Sequence, residues 1–522
     1  MMTRVIALAL VVVAAPVMGF APAGLPPRLG GGLRGSQAAS ASSPRPAPRK
    51  GRAMVTVMAD GTMPNKKVLV TGLGCLSSVG KDKEEFFANI FDGKIGPDKL
   101  PEWADDFPCN VAGQLDGFTP AAWYGNKKEA KRQSRYMNMC VAGSKLALED
   151  AKLDKDAIED KARFGIFIGS AIGGSDFYED ASKKWAKHSS YANVEKGKPW
   201  GDATFAGRSE VYKGPEHLEG SKFTFEGFKK ISPFIVPAFI MNSGSGVAAV
   251  EVDAQGPNYC IGGYGGDGAG GAMSIGQAAR FLSTGECDVF IAGGSEAFLT
   301  PAMMAGFNKL DQLATGASPV TAPFSKKAGG YLVGEAAGVL CLETAEHLDK
   351  RKGEAYCQLA GFGTSHEVVA DEELGLCAPP TAGAVAQAIS KALERAGVAA
   401  DDVGYVCAHG SGVASHDEAE IEGLKRVFGD RAEAGGGLRV SGIKGQTGNC
   451  VSASAGLEAA VCAYAIKHGK VPGTLTLDPS EAVGGLDYLA GESSAEAGGL
   501  KAAVSLNMGL GGQASALVFT PC

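Results

Sequence analysis

The 522-residue chain lacks most of the short patterns that would declare its chemistry. Its twelve cysteines are scattered with no C-x-x-C pair, and its seven histidines form no cluster at ligand spacing. This argues against a zinc module and gives no disulfide framework, so buried free thiols are expected. There is no P-loop, no G-x-S-x-G elbow and no H-E-x-x-H, which removes the commonest phosphate, esterase and zinc-protease chemistries. "TGLGCLSS" begins like a dinucleotide turn, but the third glycine position is Ser77 and no suitable acid follows on a second strand. No stable membrane span is expected, because the apolar runs are short.

Acidic residues are absent up to Asp60. Residues 1–19, with Arg4 ahead of an apolar run from Ile6 to Met18, read as a signal peptide. Residues 20–60 carry Arg28, Arg34, Arg45, Arg49, Lys50 and Arg52 among Ser, Ala and Pro, the composition of a transit peptide. Such a two-part leader is similar to those that address plastids bounded by extra membranes. Without its seven unbalanced cations the formal charge falls from -7 to -14, which argues against a nucleic-acid partner.

What is present is glycine, 75 residues of it, about twice the usual share and suited to many tight strand-to-helix turns. Short apolar runs such as "VLVTGLG" (68–74), "FGIFIGS" (164–170), "DVFIAGG" (288–294), "VGYVCAHG" (403–410) and "AAVSLNMG" (502–509) lack polar alternation. They suit strands covered on both faces. Between them Met137, Cys140, Val141 and Leu148 mark one helical stripe, and Val385, Ile389 and Leu393 another that stops at Gly397. The fold class is α/β with covered sheets. Residues 185–230 break the rhythm and read as a long surface excursion or a disordered insert.

Six histidines, 188, 217, 347, 366, 416 and 468, sit in polar or helix-end contexts where a surface role is expected. His409 differs, because it ends an apolar run at a Gly turn, where α/β proteins place reactive side chains. "VSGIKGQTGN" repeats the design, with Lys444 and Asn449 in a Gly-rich turn after an apolar strand.

These stretches, together with "GSAIGGS", "ISPFIVPAFIMN", "IAGGSEAFLTPAMMAGF", "GYLVGEAAGVLCLE", "YVCAHGSGVASHDEAEIEGLKRVFG" and "NMGLGG", resemble the β-ketoacyl-[acyl-carrier-protein] synthases of the type I/II elongating class. The likeness runs from about Lys67 to the end. It implies a thiolase-like fold of two similar halves, residues 67–347 and 348–522, each built on a five-stranded mixed sheet layered with helices. It implies no cofactor, substrates carried on acyl carrier protein, and a homodimer or a heterodimer with an active ketoacyl synthase. In the family a cysteine at a buried helix N-terminus takes the acyl chain, and two histidines and a lysine bind malonyl thioester and stabilise the enolate left by loss of CO2.

Carried over, His409 matches the first histidine and Lys444 the lysine, while Asp417 and Glu420 match acids that orient catalytic groups. Asn449 stands at the second histidine, where an amide N–H can still donate to a thioester carbonyl. Ser411 and Val413 replace two threonines of the pantetheine channel, Leu510 replaces a gating Phe, and Met508 lies beside it on the substrate path. The nucleophile falls on Gly268 when aligned from the helix side and on Gly265 when aligned from the strand side, and neither has a thiol. Cys260 reads as a small buried hydrophobe, and Asp267 as a solvated loop acid. The run of glycines is expected to delay the helix to about Ala272. The resemblance and the leader together imply a β-ketoacyl-ACP synthase family protein of plastid fatty-acid synthesis, and glycine at the nucleophile position argues against condensation. A non-catalytic chain-length-factor-like partner or a malonyl-ACP decarboxylase remains as the alternative.

Overall fold

The computed structural model describes residues 65–188, 230–262, 268–367 and 378–522. Gly265, Asp267 and most of the 185–230 stretch lie outside the described residues, although the helix Ser175–His188 reaches into the latter.

Each apolar run forms a strand. The first half contributes β1 (Val68–Leu76), β2 (Phe164–Gly169), β3 (Asn258–Tyr259), β4 (Val289–Glu296) and β5 (Ala336–Thr344). The second contributes β6 (Cys357–His366), β7 (Val403–Cys407), β8 (Arg439–Ser441), β9 (Ala502–Gly509) and β10 (Gln513–Thr520). Among the described residues these ten join in one sheet, in the order β8-β7-β9-β10-β6-β1-β5-β4-β2-β3. The order β1-β5-β4-β2-β3 of one half becomes β6-β10-β9-β7-β8 in the other when every strand number is raised by five. Pairing directions repeat as well: β2 is parallel to β3 and β4, and β7 is parallel to β8 and β9. The two five-stranded halves meet in a short antiparallel seam of two residue pairs, Leu69 with Gln358 and Val70 with Cys357.

Five helices place the site: α1 (Arg135–Asp150), α2 (Ala269–Ser283), α3 (Ala382–Ala396), α4 (Ala414–Phe428) and α5 (Ser452–His468). The apolar stripes of α1 and α3 are buried, α1 against β1, β5 and β4 and α3 against β6 and β10. At the end of α3, Gly397 adopts the left-handed conformation with φ 63°, which glycine adopts without a Cβ penalty. Helices α2 and α5 pack on each other between the two halves, and each follows the equivalent edge strand, β3 or β8. Helix α5 is rich in small residues and buried on nearly every side over residues 452–463, with Glu458 as the one acid in that buried stretch.

Helix α2 starts at Ala269, three residues earlier than the glycine content led one to expect. Propensity loses here to packing. A Cβ added at Gly271 would run into the carbonyl oxygen of Ser452 on α5, so glycine permits the close crossing that holds the first turn helical.

Candidate functional site

The site is built at the ends of the parallel strands of the second half. Beyond the end of β7, Ala408 and His409 lead into a turn whose Gly410 and Gly412 have φ 47° and 81°, and α4 begins at Ala414. Asp417 and Glu420 are three residues apart on α4 and so share its inner face. Glu420 accepts the backbone N–H of His409 through Oε1 at 2.6 Å and that of Gly410 through Oε2 at 2.8 Å. Asp417 accepts the N–H of Phe324 at 2.7 Å, the N–H of Gly412 at 3.2 Å and the hydroxyl of Ser411 at 3.4 Å. Both acids thus position the turn rather than touch a reacting atom. Burial pushes Asp417 up to about 7 and Glu420 up to about 8, with the backbone donors pulling each back.

Past β8 a single helical turn, Lys444–Thr447, brings Lys444 beneath His409. The buried Lys444 ammonium donates to the carbonyl oxygen of His409 at 2.5 Å and to Glu458 Oε1 on α5 at 2.5 Å, and stands 3.4 Å from His409 Nδ1. The same Nδ1 receives the backbone N–H of Met508 at 3.3 Å. A backbone N–H can only donate, so Nδ1 is an acceptor and the ring proton sits on Nε2. His409 is therefore a neutral imidazole with an Nε2–H donor.

Asn449 is buried, and its Oδ1 accepts the N–H of Val451 at 3.0 Å, which leaves the amide NH2 as the donor end. Val451 has φ 52° and ψ -127°, a strained conformation for a β-branched residue, at the entry to α5.

From the first half comes Gly268, buried at the N-cap of α2. Opposite it is Asn507 of β9, fully buried, whose Nδ2 donates to Ser505 Oγ at 3.0 Å. A Cβ built on Gly268 would lie 2.8 Å from Asn507 Oδ1.

The structure thus brings His409, Lys444, Asp417, Glu420, Ser411 and Met508 together. Asn449 lies at the start of α5, two residues past the turn of Lys444. Val413 caps α4, its N–H donating to Ser411 Oγ at 3.1 Å, and Leu510 is buried in the turn between β9 and β10. His416, expected at the surface, is buried on the inner side of α4. Helix-end polarity misled there, because the inner face of α4 is lined by buried polar residues. Two residues were missed from the sequence. Glu458 is the one acid in the small-residue run "SASAGLEAAVCAYA", and Asn507 interrupts an apolar strand; a lone polar group in a buried element is itself a signal.

Among the described residues, two cysteines adjoin the elements of this site. Cys260, just past β3, is half-buried with its Sγ 4.0 Å from the Ser170 carbonyl oxygen, and burial pushes it up to about 11. Cys450, next to Asn449, is fully buried and pushed up by desolvation. Both are thiols, not thiolates, at neutral pH. Among the described residues no group of His, Cys, Asp and Glu could hold a metal ion, and no helix is long and apolar enough to cross a membrane.

The duplicated sheet around two buried helices, with its histidine and lysine at the strand ends, defines a thiolase-like α/β protein. Residues 65–347 match the beta-ketoacyl synthase N-terminal domain and residues 356–478 the beta-ketoacyl synthase C-terminal domain. The chain belongs to the β-ketoacyl-[acyl-carrier-protein] synthase family. It is 31% identical over 464 residues to a 3-oxoacyl-[acyl-carrier-protein] synthase 2 of Staphylococcus aureus (strain N315), covering 87% of this chain and 98% of that protein. It is 29% identical over 459 residues to the protein of the same description from Synechocystis sp., covering 87% and 98%. Its fold is similar to the ishigamide ketosynthase/chain length factor, with TM-score 0.71, 22% identity and coverage of 88% and 100%. It is similar also to a beta-ketoacyl synthase from Burkholderia phymatum STM815, with TM-score 0.70, 24% identity and coverage of 88% and 100%.

Proposed function

We propose that the chain is a non-condensing member of its family that binds malonyl-[acyl-carrier-protein] and decarboxylates it, within plastid type II fatty-acid synthesis. One observation carries this reading: an ordered His409, Lys444, Glu458 and Asn449 group in one half accompanies a glycine at the head of α2 in the other. In the proposed step the bond from C2 to the malonyl carboxylate breaks, its electron pair delocalises onto the thioester oxygen, and CO2 leaves. The Nε2–H of His409 and the amide of Asn449 donate to that oxygen as its charge develops, and they are held in place beforehand, which is where such donors are most effective. Water then protonates C2 to give the acetyl thioester. Glu458 and the backbone oxygen of His409 hold the Lys444 ammonium beside the ring.

The deciding experiment incubates the protein with malonyl-ACP alone and then with acyl-ACP added. Release of CO2 with acetyl-ACP as product, and no β-ketoacyl product in either case, is expected. A chain lengthened by two carbons, made by this protein unaided, would overturn the reading. Absence of CO2 release, with stimulation or altered chain length only when an active synthase is added, would favour the partner-subunit role instead.

The leader supports a plastid address. A fluorescent protein fused behind residues 1–60 should enter the plastid, and retention in the secretory pathway would refute this. For assembly, the edge strand β3 favours a dimer. Asn258 and Tyr259 are exposed on it, and Val236, Phe239, Ile240, Met241 and Val250 are exposed in the segment that precedes it. A strand whose outer edge has no neighbour among the described residues, together with exposed apolar side chains, suits pairing with a second ketosynthase-fold subunit.

A further inference from the structure

We infer that Asn507 fills the acyl-acceptor position and makes the site a one-substrate site, an inference that rests on reading Gly268 as that position. Three observations meet there. Gly268 heads a 15-residue helix, at whose N-terminus unpaired backbone N–H groups and the helix dipole favour a negative or electron-rich atom. Asn507 is fully buried and aims Oδ1 at this point, 2.8 Å from where a Cβ on Gly268 would be. That oxygen accepts no hydrogen bond, so its burial is not explained by an internal partner.

A side chain at position 268 and the observed position of the Asn507 amide compete for the same space. Cβ atoms do not normally sit as close as 2.8 Å to an oxygen, so any side chain at 268 must displace the Asn507 amide. Burial and one hydrogen bond hold that amide in its observed position. Its side chain has only two torsions, is enclosed by protein, and is anchored through Nδ2 to Ser505 Oγ at 3.0 Å. A neutral carbonyl dipole thus takes the place at the helix end that would otherwise stabilise a thiolate. Met508, the next residue, keeps its backbone N–H on His409, so the obstruction leaves the malonyl side of the site intact. Loss of the thiol and closure of its space are then two separate changes, and restoring the first does not reverse the second.

The test uses the full chain and four variants: Gly268→Cys, Gly268→Cys with Asn507→Ser, Gly268→Ala, and Gly268→Ala with Asn507→Ser. Each is incubated with acyl-ACP, and the peptide spanning position 268 is read by mass spectrometry for a covalent acyl adduct. The double cysteine variant should carry at least about tenfold more adduct than the single one, the coupling expected of residues in direct contact. Equal labelling of the two, or none in either with unchanged thermal stability, overturns the inference. The alanine pair reads the contact without chemistry: Asn507→Ser should recover stability lost by Gly268→Ala, and strict additivity overturns the inference. Coupling in the alanine pair without acylation of the double cysteine variant would retain Asn507 as the space-filling residue and overturn Gly268 as the acyl-acceptor position. An acyl adduct or elongated product from the unaltered protein would refute the non-condensing reading itself.

Discussion

At the residue scale, what distinguishes the site is which atoms the buried acids engage. Glu420 spends both oxygens on the backbone N–H groups of His409 and Gly410, so it sets where the imidazole starts. Its carboxyl, raised by burial to about 8, keeps a proton in the folded chain that the unfolded chain, with an ordinary carboxylate near 4.5, has already released. Between those values the folded state binds the extra proton. Stability from this group is therefore greatest below about 4.5, declines as pH rises toward about 8 and is flat above. Glu420→Gln should flatten that slope, seen as thermal midpoints of variant and parent converging from pH 5 to pH 8. At pH 5 the variant should be about 1–3 kcal/mol less stable, because an amide cannot accept with both of its ends. His409, Lys444 and Asn449 were legible in the sequence because each stands where an apolar strand runs into a Gly-rich turn. Glu458 and Asn507 were not, since their roles depend on which strand and helix lie opposite, and spacing along one chain does not encode that.

At the element scale, the helices flanking the site are governed by close approach. The crossing of α2 and α5 depends on Gly271 against the Ser452 carbonyl, and α5 in turn meets β5 through Gly456 and Gly338. Gly271→Ala improves local helix propensity yet should destabilise the protein by about 2 kcal/mol through overpacking, measured by denaturant unfolding. A gain in stability would show that the crossing relaxes without cost. The same contact explains why the start of α2 was misjudged. A glycine-rich run lowers the intrinsic preference for helix, but only glycine fits this crossing, so tertiary packing inverts the local signal. Strands β1, β2, β4, β7 and β9 were readable because both of their faces are covered and their sequences are continuously apolar. The two-residue strand β3 was not, because its exposed residues give no apolar pattern.

At the scale of the whole molecule, the open β3 edge and the apolar residues near it set the expectation for assembly. Tyr259→Asp places a charge on that edge and should shift the protein from dimer to monomer in light scattering coupled to size exclusion. An unchanged mass would move the interface elsewhere. Within one chain, the shift of five in strand numbering has a consequence for how the site is divided. Helices α2 and α5 follow the equivalent edge strands β3 and β8 in the two copies of one framework. The later copy still presents its lysine and amide, whereas the earlier presents glycine. Two residue pairs join the copies across the sheet, and the packing of α2 on α5 joins them through the helix layer. A duplicated scaffold divides the site, with its histidine and lysine in one copy and the N-terminus of a buried helix in the other.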